Sequence, residues 1–178
     1  HLPYLRDPET LARAWALPGT AGLIHRVGGL EKADVTGNVS YDPANHERMT
    51  HLRHAKIEAI ARDIPDAVLE GDADADTVVI GWGATWGAIS GGIDRVRAGG
   101  RKVARIHLRH LNPLPRNLGP LLGGFDRFLV PEMNLGQLSK VLRSEFLVDA
   151  RSVSKVRGLP FTAGEIESAI LEAMGEPR

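Results

Sequence analysis

The chain has 178 residues, 43% of them hydrophobic and 25% charged, a composition typical of one globular core with at most a small appendage. Its 22 basic and 22 acidic residues balance, so no net field attracts nucleic acid or an anionic membrane, and we expect neither as a partner. The absence of cysteine means that thiolates of this chain cannot hold an iron–sulfur cluster or form a disulfide.

The longest apolar stretches run to about seven residues, far short of the ~20 that span a bilayer. No basic, apolar leader of the secretory type is visible, so we expect a cytoplasmic protein. Because the first residue is His1 rather than Met, we also expect that further polypeptide belongs with this chain.

Residues 1–45 are rich in Pro, Gly and Asp and predict an extended connector with one short helical turn at residues 8–16. A helix start follows at Asp42, and the helix should end before Pro65. Its apolar positions predict an amphipathic packing helix and are Met49, Leu52, Ile57 and Ile60. We therefore assign residues 1–70 to a connector and a packing helix.

From Asp76 onward, apolar strand patterns alternate with helical patterns. The predicted strands are residues 77–82, 102–108, 127–130 and 152–156. The predicted helices are residues 84–97, 117–122, 135–146 and 162–174, the last with a capping box of Thr162 and Glu165. This alternation predicts an α/β fold, a three-layer αβα domain with a mostly parallel sheet, over residues 71–178.

The corner at residues 131–138 places Glu132 and Asn134 at the carboxyl end of a predicted strand, the edge where open α/β sheets collect ligands and partners. A structural interpretation is also open. In that interpretation Asn134 caps the following helix, Gly136 eases the turn and Glu132 pairs with a nearby cation.

The glycines of the turn at residues 81–87 could let backbone N–H groups approach a phosphate at a helix start. The spacing is not that of a dinucleotide fingerprint, and no lysine follows as in a phosphate-binding loop. Trp82 and Trp86 in one turn are more typical of packing or of a contact between chains. A small nucleotide-binding domain and a noncatalytic interaction module therefore remain alternatives.

Histidines form two further groups. His51 and His54 share a face of the first helix, which we interpret as solvated because no zinc-binding motif accompanies them. His107, Arg109 and Asn112 cluster at the end of the second predicted strand, on the same sheet edge as the 131–138 corner. No residue spacing marks a nucleophile or an acid/base pair, so we predict no catalytic residue and no metal ligand.

Six motifs follow one another along the chain, namely residues 28–32 (GGLEK), 36–43 (TGNVSYDP), 45–47 (NHE), 81–83 (GWG), 107–113 (HLRHLNP) and 131–138 (PEMNLGQL). In this order they resemble the carboxyl-terminal portion of the alpha subunit of 2-oxoacid:ferredoxin oxidoreductases of the 2-oxoglutarate type. The resemblance covers nearly the whole chain. It implies that residues 71–178 are similar to the carboxyl-terminal domain of transketolase and serve as scaffold and subunit interface.

The resemblance further implies oxidation of 2-oxoglutarate with coenzyme A to succinyl-CoA and carbon dioxide, with electrons passing to ferredoxin. Thiamine diphosphate, Mg2+ and a 4Fe-4S iron–sulfur cluster would belong to a partner beta subunit, with no cofactor bound by this chain alone. The other expected partner is an amino-terminal part of the alpha subunit, whose substrate motifs are not found here. The isolated chain would then be inactive.

By the same resemblance, an acidic segment of the connector lies near the entrance for substrate and coenzyme A, so the candidates there are Glu31, Lys32 and Asp34. Many family members have Glu-His-Asp-Glu where this chain has EKAD, and an exposed polar loop at an interface is an equal alternative. The interface or strand-end candidates are Trp82, Trp86, His107, Arg109, Asn112, Glu132, Asn134 and Gln137.

Overall fold

The computed structural model describes residues 1–72 and 74–175. The chain divides into two compact units, His1–Ile64 and Pro65–Arg178. The second unit thus begins six residues before the boundary expected from the sequence. The reason is an edge strand at Leu69–Gly71 that the sequence did not reveal and that belongs to the sheet of the second unit.

The amino-terminal part of the first unit is held by turns and isolated antiparallel bridges. The helical turn predicted at residues 8–16 is wrong. The Asp7 carboxylate accepts hydrogen bonds from the backbone N–H groups of Glu9 and Thr10, Leu11 adopts a left-handed φ of 55°, and Arg6 then pairs with Arg13. An aspartate that hydrogen-bonds the next backbone groups favours a turn over a helix, which explains the difference.

Helix α1 of the first unit spans Pro43–Ala59 and continues as a 3-10 turn at Ile60–Arg62. Asp42 caps it by accepting a hydrogen bond from the backbone N–H of Ala44, and Pro43 occupies the first turn, where no N–H is needed. The start and end of this helix agree with the sequence prediction.

Within the described residues, the second unit contains a five-stranded sheet and four α-helices. The strands are β1 (Leu69–Gly71), β2 (Thr77–Trp82), β3 (Ala104–Leu108), β4 (Arg127–Glu132) and β5 (Ala150–Ser154). The helices are α2 (Trp86–Ala98), α3 (Leu118–Leu122), α4 (Gln137–Phe146) and α5 (Ala163–Ala173). The strand order is β1-β3-β2-β4-β5, with β1 antiparallel and the other pairings parallel. The predicted α/β fold is therefore confirmed.

The sheet has a hydrophobic core on each face, which gives the three layers. Residues of α3 and α4 pack with one face of the sheet, and residues of α2 and α5 pack with the other. Between α2 and α5 the backbones approach closely at Gly92, where an added Cβ would lie 2.6 Å from the Ile166 Cβ atom. This contact fixes how the two helices cross above β2 and β4.

None of the helices in residues 1–72 and 74–175 combines the length and the apolar character needed to cross a membrane.

Candidate functional site

The centre of the sheet contains the topological switch point of the second unit. Strand β2 has β3 on one side and β4 on the other, so the connections that leave the carboxyl ends of β2 and β4 run in opposite directions. Ligands of open α/β sheets bind in the crevice outside such strand ends. The residues that end β2 and β4 are Trp82 and Glu132.

Glu132 is fully buried, with 0% of its surface exposed, and its carboxylate accepts four N–H donors. The backbone N–H groups of Leu138 and Ser139, at the start of α4, donate across 2.8 and 3.1 Å. The Asn134 side-chain amide donates across 3.1 Å, and the Trp82 indole across 3.4 Å. The expected pairing of Glu132 with a cation is wrong, because helix N–H groups provide the compensation that a buried carboxylate requires.

Asn134 and Gly136 shape the same corner. The Asn134 Oδ1 atom accepts hydrogen bonds from the backbone N–H groups of Gly136 and Gln137, at 2.8 and 2.9 Å. Gly136 has a φ of 77°, and a Cβ there would lie 2.8 Å from the Ser152 Oγ atom. The left-handed residue also delays α4, which begins at Gln137 rather than at the predicted Leu135. The corner is thus internally satisfied, and its polar groups hold α4 on the end of β4.

A groove of about 790 Å³ lies at the carboxyl ends of β2 and β3. Trp82, Trp86, His107 and Arg109 line it together with apolar neighbours that include Leu111. A smaller adjoining cleft of about 260 Å³ shares Trp86, His107 and Arg109. The structure therefore brings four of the eight sequence-predicted interface residues into one groove.

The other four predicted residues lie elsewhere. Glu132 and Asn134 form the corner at the end of β4, Gln137 begins α4, and Asn112 lies in the loop after β3. The polar residues that we expected on one sheet edge are therefore divided between the groove and the closed corner. Of these eight residues, Trp82 takes part in both.

Trp86 forms a fixed aromatic wall of the groove. The guanidinium carbon of Arg105 lies 5.0 Å from the centre of the indole, a cation–π contact. Arg105 itself donates to the Ser90 hydroxyl and to the Glu70 carboxylate. Trp86 is 49% exposed although one face of its ring is covered by Arg105, a combination that favours contact with a ligand or partner. Sequence reasoning missed Arg105 because its ion-pair partner Glu70 lies on the unrecognised strand β1.

His107 is a partly desolvated imidazole in this groove. Burial, followed by the positive charges of Arg105 and Arg109, lowers its pKa from the ordinary value of 6.5. Its Nδ1 atom is buried and, among the described residues, has no hydrogen-bond partner. Both observations favour the neutral form.

Gly81 serves packing rather than phosphate approach. A Cβ at this position would lie 2.3 Å from the Ile89 Cδ1 atom, so the missing side chain allows α2 to approach β2. Of the three glycines in the 81–87 turn, Gly81 is thus explained by contact between the helix and the strand. Gly83 has a φ of 58°, a left-handed conformation that favours glycine.

The first unit holds the other predicted site residues in a segment that we call the connector hairpin, residues 28–41. Lys32 and Val39 form an antiparallel bridge. The backbone N–H of Ser40 donates to the Glu31 carbonyl at 3.1 Å, and that of Ala33 donates to the Asn38 carbonyl at 2.7 Å. The segment is therefore an ordered turn rather than a free loop.

Each charged side chain of the connector hairpin has a hydrogen-bond partner within the first unit. His46 Nδ1–H donates to the Glu31 carboxylate at 2.5 Å, and the Arg48 guanidinium donates to Asp34 at 2.8 Å. The Lys32 ammonium donates to the carbonyls of Gly29 and Leu30. The hydrogen bond from His46 is the largest cause that lowers the pKa of Glu31. Glu31, Lys32 and Asp34 are thus brought together. The two carboxylates are paired with His46 and Arg48, whereas the Lys32 ammonium is held by backbone carbonyls, which do not neutralise its charge.

Residues 1–72 and 74–175 contain no cluster of three or more His, Asp or Glu side chains suited to hold a metal ion.

The fold and these strand ends define an αβα domain of the kind found in transketolase. A solved split-gene transketolase in an inactive beta4 tetramer matches 63% of the chain with a TM-score of 0.50 at 16% identity, and 42% of its own chain is covered. This likeness concerns the fold alone.

The closer likeness is to 2-oxoacid oxidoreductases. The chain is 50% identical over 173 residues to the 2-oxoglutarate oxidoreductase subunit KorA of Mycobacterium tuberculosis, covering 97% of this chain and 26% of that protein. It is 32% identical over 156 residues to the alpha subunit of 2-oxoacid:ferredoxin oxidoreductase 1 of Aeropyrum pernix, covering 83% and 24%. No family model matches the chain.

A solved 2-oxoglutarate:ferredoxin oxidoreductase from Magnetococcus marinus, with 2-oxoglutarate, coenzyme A and succinyl-CoA bound, covers 96% of this chain at a TM-score of 0.85 and 30% identity. The match spans 30% of that chain, and the present chain spans about a quarter of the length of the curated relatives it matches. The resemblance to part of a 2-oxoglutarate-type alpha subunit is confirmed.

Proposed function

We propose that this chain works as part of the alpha subunit of a 2-oxoglutarate:ferredoxin oxidoreductase, to which it contributes scaffold and subunit interface. The enzyme would convert 2-oxoglutarate, coenzyme A and oxidised ferredoxin to succinyl-CoA, carbon dioxide and reduced ferredoxin. The observation that carries the proposal is the 50% identity to a 2-oxoglutarate oxidoreductase subunit across 97% of the chain.

The structural role is supported by how the described polar residues are used. The buried Glu132 carboxylate caps α4, and the Glu31 and Asp34 carboxylates of the connector hairpin pair with His46 and Arg48 of α1. A general acid or base must reach the proton it transfers, and these groups already have partners. They are suited to hold elements in position.

The cofactors that such an enzyme needs do not fit the residues of this chain. A 4Fe-4S cluster requires thiolate ligands, and the chain has no cysteine. The described residues provide no metal-binding cluster for the Mg2+ that accompanies thiamine diphosphate. We therefore assign the 4Fe-4S cluster, Mg2+ and thiamine diphosphate to a partner beta subunit. In this proposal the side chains of this chain take no part in the chemical steps.

The partners in this proposal are the beta subunit, the amino-terminal part of an alpha subunit, ferredoxin and coenzyme A, in a cytoplasmic complex. Glu31, Lys32 and Asp34 remain the proposed neighbours of the entrance for substrate and coenzyme A. Because the two carboxylates are paired and the Lys32 ammonium is held by backbone carbonyls, we propose that these residues shape the border of that entrance.

The test uses the complete alpha and beta subunits, reconstituted with thiamine diphosphate and Mg2+. Reduction of ferredoxin should depend on both 2-oxoglutarate and coenzyme A, and kcat/KM should be higher for 2-oxoglutarate than for pyruvate. A complex that reduces ferredoxin with neither 2-oxoacid, or that prefers pyruvate, contradicts the proposal.

The proposed entrance residues have their own test in the same complex. Glu31→Ala and Asp34→Ala should each raise the KM for coenzyme A or for 2-oxoglutarate, with Glu47→Ala, an exposed acid on α1, as the matched control. Kinetics unchanged in both variants would remove these residues from the site.

A further inference from the structure

The side chain of Asn45, on α1, makes two hydrogen bonds to the backbone of the connector hairpin. Its Oδ1 atom accepts a hydrogen bond from the backbone N–H of Asp34 at 3.0 Å, and its Nδ2 group donates one to the carbonyl of Lys32 at 2.9 Å. One planar amide thus holds the backbone on both sides of Ala33. The part of the hairpin that it holds includes two of the three proposed entrance residues.

Helix α1 itself does not require an asparagine at this position. Asp42 already caps the helix, and Asn45 is the third helical residue. Side chains at this position often return to the N-cap residue, and asparagine has a lower helix propensity than alanine. The two bonds of Asn45 instead go to residues 11 and 13 positions earlier in the chain. They explain the asparagine better than the needs of the helix do.

The hairpin contains a backbone conformation that it would not favour by itself. Val35, which follows Asp34, has a left-handed φ of 66°. A β-branched residue rarely adopts this conformation, which persists only where surrounding contacts impose it. Asn45 holds the N–H group of the residue just before Val35, and Tyr4 pairs with Val35 itself. The conformation of this turn is therefore set by its neighbours.

The ion pairs between α1 and the hairpin hold side chains rather than backbone. His46 pairs with Glu31 and Arg48 pairs with Asp34, and the side chains of His46 and Arg48 are 67% and 68% exposed. Ion pairs with a solvent-exposed partner contribute little, because water and salt screen them. The two partly buried bonds of Asn45 act on the backbone directly. Among these contacts, Asn45 is therefore the one best suited to fix the position of the hairpin.

We infer that Asn45 is a positioning residue, which fixes the backbone at residues 32–34 and thereby holds Lys32 and Asp34 at the border of the entrance for substrate and coenzyme A. This inference rests on the proposed function. Because Asn45 acts through the hairpin and not on the reacting atoms, its loss should weaken binding and leave the chemical step unchanged. A change in KM without a change in kcat is the kinetic sign of such a role.

The experiment compares the steady-state kinetics of alpha-subunit variants in the complete complex of alpha and beta subunits, reconstituted with thiamine diphosphate and Mg2+. Asn45→Ala removes both hydrogen bonds and should raise the same KM, for coenzyme A or for 2-oxoglutarate, that Asp34→Ala raises. We expect a rise of about fivefold, with kcat within about twofold of wild type. The matched control is Glu47→Ala, at an exposed acid of α1, which should leave both KM values unchanged.

A second variant separates positioning from helix stability. Asn45→Asp keeps an acceptor for the N–H of Asp34 but offers no donor to the carbonyl of Lys32. A carboxylate in the first turn favours a helix, so the melting temperature should not fall, yet the KM should still rise.

Two further measurements show whether Asn45 acts through the hairpin. Hydrogen exchange of the amides at residues 32–37 should be faster in Asn45→Ala than in wild type. The double variant Asn45→Ala/Asp34→Ala should raise the KM by less than the product of the two single effects, because both substitutions act on the same segment.

Unchanged KM values for Asn45→Ala and Asn45→Asp overturn the positioning role, as does a fall in kcat alone or an equal effect of Glu47→Ala. The role is also overturned if Asp34→Ala changes neither KM, because Asn45 then has no entrance residue to position. In each of these cases a wild-type complex that oxidises 2-oxoglutarate with coenzyme A leaves the proposed function intact. A wild-type complex that does not oxidise 2-oxoglutarate overturns the proposed function and the positioning role together.

Discussion

The indole N–H of Trp82 donates to the buried carboxylate of Glu132 across 3.4 Å and so joins the ends of the two central strands. Because β2 and β4 flank the switch point, this bond lies where other α/β sheets bind ligands. Here the carboxylate is instead part of the scaffold, since the start of α4 provides two of its four donors.

Replacement of Glu132 should therefore destabilise the second unit. Glu132→Leu leaves the backbone N–H groups of Leu138 and Ser139 buried without acceptors, and we expect a loss of about 3 kcal/mol in the free energy of unfolding. Chemical denaturation monitors the change. Glu145→Ala, at an exposed acid of α4, is the control and should stay within about 0.5 kcal/mol of wild type. A similar small change for Glu132→Leu would show that the carboxylate is not the cap.

Replacement of Arg105 should free the Trp86 indole. Arg105→Met removes the cation–π contact and the ion pair with Glu70, so the ring should reorient faster. Time-resolved fluorescence anisotropy measures this in a chain whose only tryptophan is Trp86, with Trp15 and Trp82 replaced by Phe. The control is Arg109→Met in the same background. Equal anisotropy decays for Arg105→Met and the parent would contradict the account of the groove wall.

The lowered pKa of His107 predicts a pH dependence of stability. Its folded pKa lies below the ordinary 6.5, so the unfolded chain binds the proton more readily. As the pH falls from about 6.5 through the folded pKa, this residue should reduce the free energy of unfolding, and above 6.5 its effect should be constant. His107→Gln removes this titrating group. The difference in the free energy of unfolding between the variant and wild type, measured across roughly pH 4.5–8, therefore isolates the contribution of His107. If the difference in the free energy of unfolding did not change with pH, the lowered pKa of His107 would be contradicted.

Alanine substitutions at two glycines of α2 should have different effects on stability. Gly92→Ala places a Cβ 2.6 Å from Ile166 side-chain atoms and 3.0 Å from a backbone carbonyl of α5, so we expect a loss of about 1–3 kcal/mol. Gly87 has no atom within 4 Å of its ideal Cβ, so Gly87→Ala should be neutral or stabilise by up to about 1 kcal/mol. Thermal unfolding of the Gly92→Ala and Gly87→Ala variants tests the close contact of α2 with α5. Equal changes in stability for the two variants would contradict that contact.

The main elements of the second unit could be predicted because buried parallel strands form continuous apolar runs, and because helix starts carry local signals. The capping box at Thr162 and Glu165 is present with both reciprocal hydrogen bonds. Strand β5 nevertheless begins at Ala150 rather than at the predicted residue 152, because its register is set by pairing with β4. A strand boundary that is set by pairing with a neighbouring strand cannot be predicted from the local sequence.

The site was less predictable. Strand β1 has three residues, too few to show an alternation, and so the Glu70–Arg105 pair beneath Trp86 could not be foreseen. Two of the four donors to Glu132 are backbone N–H groups, which leave no residue-type signal. The Trp82 and Trp86 pair was detectable because large aromatics in a strand-end turn are unusual. The places of Glu31, Lys32 and Asp34 relative to substrate and coenzyme A stay predictions.

The central claim is that this chain supplies scaffold and interface while the reactive groups come from another subunit. The most direct measurement is turnover by the isolated chain, supplied with thiamine diphosphate, Mg2+, 2-oxoglutarate, coenzyme A and a redox dye or ferredoxin. We predict no reduction above the rate without protein, and full activity only in the complex of complete subunits. Robust reduction by the isolated chain, dependent on 2-oxoglutarate, would contradict the account.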